Sequence, residues 1–202
     1  MSIANLPLLP EISAGFASAT GSLPELKSFL KAPLVQMEQV HGSSIAVVSE
    51  PAKRYPHVDA IITTKPNLAL VVRTADCLPI LIAHPSGLIA AVHAGRKGTD
   101  DGILYKTLKK LKRQFGLHDQ VHLWLGPHIC ANCYQIDRKT DLHYNLRKEN
   151  LKQVISIYLD SQVKVAVSED CTLEAPDLHS YRETGPGVEM NYAGIVLKSA
   201  SK

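Results

Sequence analysis

A chain of 202 residues with 45% apolar content is long enough for one large domain or two small ones around a sizeable core. Its formal net charge of +3 is too small to argue for a nucleic-acid partner. No run reaches the roughly 18 uncharged apolar residues of a membrane span, because Arg73, Asp76 and His84 interrupt the best candidate.

The opening MSIANLPLLPEIS has no basic region followed by a long apolar core, so a cytoplasmic location is expected. In that reducing compartment Cys77, Cys130, Cys133 and Cys171 read as thiols or metal ligands rather than disulfides. Residues 1–32 are weakly patterned. PLVQMEQV (33–40) reads as a strand, HGSSIAVVSE (41–50) as a turn and a second strand, and DAIITT as a third. ALVVRT (69–74), LPILIAHP (78–85) and LIAAVHAG (88–95) are short, near-continuous apolar runs, which suit central strands covered on both faces.

Ile103, Leu104, Thr107, Leu108, Leu111 and Phe115 recur at helical spacing. Asp100 and Asp101 precede them, basic residues follow and Gly116 closes the segment, so an amphipathic helix is predicted with those acidic residues at its start. Its basic run, 106–115, reads as a solvated face. VHLWLGP (121–127) is a strand. Residues 138–160 read as helical, with Leu142, Leu146, Leu151, Val154, Ile155 and Tyr158 as core contacts. VKVAVSED (163–170) alternates as a strand, and MNYAGIVLK is compatible with either strand or helix. One α+β domain over residues 1–202 is the economical architecture.

Three positions carry chemistry beside turns or strand ends: His41 in QVHG, Cys77 in ADC and His93 in VHAG. Two imidazoles and a thiolate suit zinc, and three protein ligands leave a fourth position open, as in a catalytic site. The same residues also read as two satisfied surface histidines and an inert cysteine. A third reading is a metal-free thiolate–imidazolium nucleophile built on Cys77, with Asp76 nearby. Strand alternation turns Asp76 away from any site faced by Cys77, unless the chain bends there. HAGRKGTDDG (93–102) puts two glycines between a strand and a helix, a turn able to hold an anion with Arg96 and Lys97 or to be a tight turn alone. CANC (130–133) has thioredoxin-like spacing but follows a GPHI turn rather than opening a helix, so it reads as two ordinary thiols near one loop. Arg182, beside Tyr181, is a candidate for holding phosphate or carboxylate, or a surface arginine.

QVHG (39–42), DAIITTKPNLALVVRTADCLPILIAHP (59–85), IAAVHAGRKG (89–98), WLGPHICANCYQID (124–137), EDCT (169–172) and HSYRETG (179–185) occur in one order. Together they resemble the laccase-like polyphenol oxidase family, regarded mainly as purine nucleoside phosphorylases with adenosine deaminase activity. The resemblance implies a single α+β domain, with mixed β-sheets covered by helices in αββα-like layers. It implies Zn2+ held by His41, Cys77 and His93. It also implies that Arg73 of VVRTADC and Arg182 of SYR hold a purine nucleoside and phosphate. Lys97 of the HAGRKG turn is a further candidate for binding them, and for deamination Asp76 is the nearest carboxylate in sequence to shuttle protons. Nucleic acid and membrane partners are not implied, and oligomeric state is left open.

Two departures from the family pattern stand out. HAGRKG replaces the usual HAGWRG, putting Arg96 for Trp and Lys97 for Arg, and lysine lacks the bidentate fork of arginine. The usual N-terminal segment is longer than GFASATGSLPELKSFLKAP. Three alternatives stand beside phosphorolysis. One is a cysteine hydrolase using Cys77 and histidine, and another is a non-catalytic protein retaining the fold. The third is a multicopper polyphenol oxidase, for which His84, His122 and His128 form no obvious additional ligand array.

Overall fold

The computed structural model describes residues 3–6, 9, 11–18, 21–51 and 54–199. In chain order the elements are β1 (Ile3–Asn5), β2 (Ile12–Ala17), α1 (Leu23–Leu30), β3 (Leu34–Gln36), β4 (Ile45–Val47), β5 (Ala60–Thr63), β6 (Ala69–Thr74), β7 (Leu78–His84) and β8 (Leu88–Ala94). They continue with α2 (Arg96–Asp100), α3 (Ile103–Gln114), β9 (Val121–Leu125), β10 (Gln135–Asp137), β11 (Leu142–His143), α4 (Leu146–Ile155), β12 (Val163–Val167), α5 (Tyr181–Thr184) and β13 (Asn191–Leu197).

Two mixed sheets stack face to face. One has the order β1-β2-β13-β6-β3 and the other β12-β9-β7-β8-β5-β4. Alternation along each strand decides which side chains meet. Leu81 and Ala83 of β7, with Ile89 and Ala91 of β8, pack between the sheets against Phe16, Leu70, Val72 and Ile195. Their neighbours Ile80, Ile82, Ala90 and Val92 face the other way, onto Leu104, Leu108 and Leu111 of α3 and Val154 of α4. Apolar residues on both faces are therefore required in β7 and β8, as their continuous hydrophobic runs predict. On the far side, Leu26 and Leu30 of α1 cover Ala69, Val71 and Val196. The result is the expected layering of helix, sheet, sheet and helix in a single α+β domain.

Local chemistry fixes the helix ends. Ser22 and Glu25 form a reciprocal capping box at α1, and the Asn145 side chain accepts from the Lys148 amide at α4. The acidic start expected for the long amphipathic helix is corrected: α2 begins at Arg96, Asp100 closes it, and α3 begins after Gly102, whose φ of 75° makes the bend. The continuous helix expected over 138–160 is also corrected. Only Leu146–Ile155 is α-helical, because residues 135–143 fold back as the β10–β11 hairpin. Leu146, Val154 and Tyr158 are buried as expected, whereas Leu142 and Ile155 are exposed. The undecided C-terminal segment is β13, a central strand between β2 and β6. Among the described residues no helix is long and apolar enough to cross a membrane.

Truncation should separate core from edge. Leu81→Ala, between the sheets, is expected to cost about 3 kcal/mol. Val165→Ala, on edge strand β12, should cost under about 1 kcal/mol. Urea unfolding midpoints of the two variants check the contrast.

Candidate metal centre and anion cleft

The site forms where the chain leaves one sheet for the other. β6 ends at Thr74 in the first sheet and β7 begins at Leu78 in the second, so residues 75–77 make the crossing at the mouth of the sandwich. Asp76 takes φ 86° there, a left-handed conformation that costs a non-glycine residue energy. Its carboxylate accepts hydrogen bonds from Thr172 Oγ1 (2.7 Å), Ser180 Oγ (2.7 Å) and the Arg182 amide (2.6 Å). Its carbonyl accepts from the Ile129 amide at 3.0 Å. These bonds hold the strained corner and fasten three later loops to it.

β5 and β8 pair antiparallel with Ala60 opposite Val92, which sets Asp59 beside His93. Asp59 is fully buried. It accepts from His93 Nδ1 at 2.7 Å and from the amides of Val40 (3.3 Å), His41 (3.0 Å) and Gly42 (2.8 Å). Burial alone would raise its carboxyl pKa, but the His93 bond and these amides outweigh that and hold it below the usual carboxylate range. One carboxylate thus orients one histidine directly and the other through its backbone, with His41 at φ 58°.

The ligand atoms of His41, Cys77 and His93 all lie within 4.8 Å of one another. The two imidazoles meet edge to face with centroids 4.8 Å apart. Burial pushes the Cys77 thiol up, yet hydrogen bonds and charge from His41 and His93 bring it down to about 6. Burial opposes protonation of His93, but Asp59 and the thiol raise it to about 9. The arrangement therefore favours a thiolate. Gly95 makes room for it: a Cβ there would sit 2.9 Å from His41 Cδ2 and 3.0 Å from Cys77 Sγ. Gly98 is just as constrained, since a Cβ would lie 2.6 Å from the Gly42 carbonyl oxygen and push the His41 loop away from α2. Two imidazole nitrogens, a thiolate and a carboxylate behind one imidazole suit a single zinc ion with bonds of about 2.0–2.3 Å.

The three residues open into a cleft of about 690 Å³ that Arg73, Asp76, Arg96, Lys97, Tyr134 and Arg182 also line. Gln39 grips the Arg73 backbone on both sides, accepting from its amide (3.0 Å) and donating to its carbonyl (2.7 Å). The Arg182 guanidinium lies 5.6 Å over the Tyr134 ring and donates to the Gln135 carbonyl at 2.9 Å. That holds its plane while most of its five N–H donors stay available. Arg96 and Lys97 are exposed on the first turn of α2, with Arg96 only 4.0 Å from Asp100.

Every site residue singled out from the sequence therefore lies in this one cleft. Asp76 stands beside Cys77, with its carboxylate engaged by Thr172, Ser180 and the Arg182 amide. Missed from the sequence were Asp59, Gln39, Tyr134 and the steric role of Gly95. Of these only Asp59 left a signal, as an acidic residue opening an apolar strand.

Asp59→Asn replaces a charged acceptor of four hydrogen bonds with an amide that accepts on one oxygen only. It should destabilise the protein by about 3 kcal/mol, and chemical denaturation checks this.

The family model described as multi-copper polyphenol oxidoreductase laccase matches residues 22–196. A purine nucleoside phosphorylase of Streptomyces coelicolor is 40% identical over 108 residues, 52% of this chain and 45% of that protein. One of Corynebacterium glutamicum is 30% identical over 194 residues, 84% of this chain and 76% of that protein. The chain thus spans under half of the first relative and about three quarters of the second. The crystal structure of the Bacillus licheniformis protein YfiH superposes with a TM-score of 0.86 at 21% identity, covering 98% of this chain and 97% of that one. YlmD from Geobacillus stearothermophilus gives 0.84 at 22% identity, covering 96% and 94%. These two likenesses concern the fold alone. With its family match running from residue 22 to residue 196, this chain belongs to the laccase-like multi-copper polyphenol oxidoreductase family.

Proposed function

We propose that this chain is a zinc-dependent purine nucleoside phosphorylase acting on adenosine, inosine or 5′-methylthioadenosine. The observation that carries the reading is one cleft that joins a His2Cys ligand set to the cationic side chains of Arg73, Arg182, Arg96 and Lys97. At about 690 Å³ it is of the size that holds small ligands, roughly 300–1,000 Å³. Relatives named purine nucleoside phosphorylase support the same reaction.

In phosphorolysis a phosphate oxygen bonds to C1′ of the ribose while the C1′–N9 bond breaks. The bonding pair leaves with the base, which takes up a proton, giving ribose 1-phosphate and free purine. Arg73 and Arg182 bind the phosphate and hold its attacking oxygen toward C1′, a positioning role that needs rigid side chains. Tyr134 and the Gln135 carbonyl hold the Arg182 guanidinium, and Gln39 fixes the backbone from which the Arg73 side chain projects. Lys97 adds charge without the bidentate fork. His41, Cys77 and His93 would hold zinc, which would supply Lewis acidity in the cleft. Adenosine deamination is assigned to the same cleft. For both reactions we assign Asp76 a positioning role, because three donors already occupy its carboxylate.

A second reading is favoured by one observation: Asp59, His93 and Cys77 form a carboxylate–imidazole–thiolate relay that could act as a metal-free nucleophile. The convergence of His41 on the same thiolate goes beyond what such a relay needs and favours the metal.

The assay is phosphate-dependent release of hypoxanthine from inosine, with metal content measured in parallel. Cys77→Ala should lower activity more than about a hundredfold and remove one zinc per chain. Arg182→Gln should raise the KM for phosphate about ten- to hundredfold with zinc retained. A Cys77→Ala protein with full zinc content and full phosphorolysis overturns the assignment. Wild-type protein that takes up no metal when supplied with zinc, is inert toward inosine and hydrolyses p-nitrophenyl acetate until Cys77 is alkylated shifts the assignment to the thiol hydrolase.

A further inference from the structure

β9 and β12 are parallel neighbours, so the loops that follow them leave the sheet side by side at the same end. The pairing extends past both strands as a bridge between His128 and Cys171. The first loop makes a turn at Cys130–Cys133, in which the amides of Cys133 and Tyr134 donate to the Cys130 carbonyl at 3.2 and 3.0 Å. The second makes a matching turn at Cys171–Glu174, where the amides of Glu174 and Ala175 donate to the Cys171 carbonyl at 3.1 and 2.9 Å. Each turn therefore presents two potential ligands three residues apart, Cys-x-x-Cys from one and Cys-x-x-Glu from the other. Their sulfur and carboxylate oxygen atoms all lie within 4.8 Å of one another. Cys171 is buried, and its sulfur accepts a hydrogen bond from the Cys130 amide at 3.2 Å, a bond suited to a thiolate. Cys130 Sγ lies 3.8 Å from Glu174 Oε2.

We propose that Cys130, Cys133, Cys171 and Glu174 form a second metal centre, a closed four-ligand site for a thiophilic divalent cation of the zinc class. Three sulfurs and one carboxylate match the ligand types and tetrahedral number of structural zinc, and the Cys-x-x-Cys arm has the usual spacing. Calcium and magnesium prefer all-oxygen sites and do not compete. A cation held by all four ligands would cross-link the two loops.

The centre is structural, but its position bears on the cleft. Tyr134, next to Cys133, carries the Arg182 guanidinium, and Thr172, next to Cys171, holds the Asp76 carboxylate. The metal thus braces one wall of the cleft from behind. The ligand set shares no residue with His41, Cys77 and His93, so it does not depend on the reading of that site.

Metal stoichiometry tests the proposal on protein purified with reductant and supplemental zinc. Cys77→Ala is expected to keep one zinc per chain, and the additional change Cys133→Ser to remove it. Cobalt substitution of Cys77→Ala should give intense thiolate-to-metal charge-transfer absorption in a tetrahedral field, lost in the double variant. In intact wild-type protein, a strong chelator should turn Cys130, Cys133 and Cys171 from protected to reactive toward a thiol reagent, a readout that needs no variant to fold. The proposal is overturned if Cys77→Ala binds no zinc or cobalt. It is equally overturned if the three thiols react without chelator, or if mass spectrometry of the reduced preparation finds two of them joined as a disulfide.

Discussion

The fully buried carboxylate of Asp59 is the interaction on which the site rests. It sits at the head of the fully buried strand Ala60–Thr63, where an uncompensated charge would be strongly unfavourable. Compensation comes from the amides of residues 40–42 and from His93, so satisfying the charge and building the site are one event. The loop has no regular structure of its own. Its position follows from three amides finding an acceptor, and the left-handed conformation of His41 is tolerated because those bonds over-determine it.

Asp76 plays a parallel part on the other side of Cys77. It stands at the corner between the sheets and draws in Thr172, Ser180 and the start of α5. Residues a hundred positions away in sequence become the far wall of the cleft through one carboxylate. Its neighbour Cys77 is then set by two buried acids, Asp59 acting through His93 and Asp76 through the chain itself.

The sheets were legible in the sequence because their physics is local. β6, β7 and β8 announce themselves as short apolar runs broken by Ser, Pro and Gly, and α3 by its spacing of Ile103, Leu104, Leu108 and Leu111. The helix expected over 138–160 failed for a non-local reason. Leu142 fits a helical pattern, but the pairing of β10 with β11 claims that stretch first and leaves Leu142 exposed. His41, Cys77 and His93 could be named from turns and strand ends and from the family resemblance, yet spacing alone could not bring them together. Only the antiparallel register of β5 and β8 and the crossing at residues 75–77 do that. For the same reason Cys130 and Cys133 read as two ordinary thiols near one loop, and Cys171 reads only as a thiol or metal ligand. The parallel pairing of β9 with β12, invisible in either strand alone, turns two distant Cys-x-x motifs into one cluster.

The turn HAGRKG shows how steric and chemical demands divide within one motif. Its glycines face inward: Gly95 clears the sulfur and the His41 ring, and Gly98 lets the backbone of Gly42 approach. Those positions admit no side chain without moving a ligand. Arg96 and Lys97 face outward into the open cleft, where nothing in the packing dictates their size or shape. A Trp-to-Arg and Arg-to-Lys departure from the family pattern is therefore accommodated without disturbing the ligand set. It alters only what the cleft presents to its occupant, replacing an aromatic surface with charge and a planar fork with a point cation. The close approaches at Gly95 and Gly98 fix the positions of His41 and Cys77, and they place no such demand on the side chains of Arg96 and Lys97.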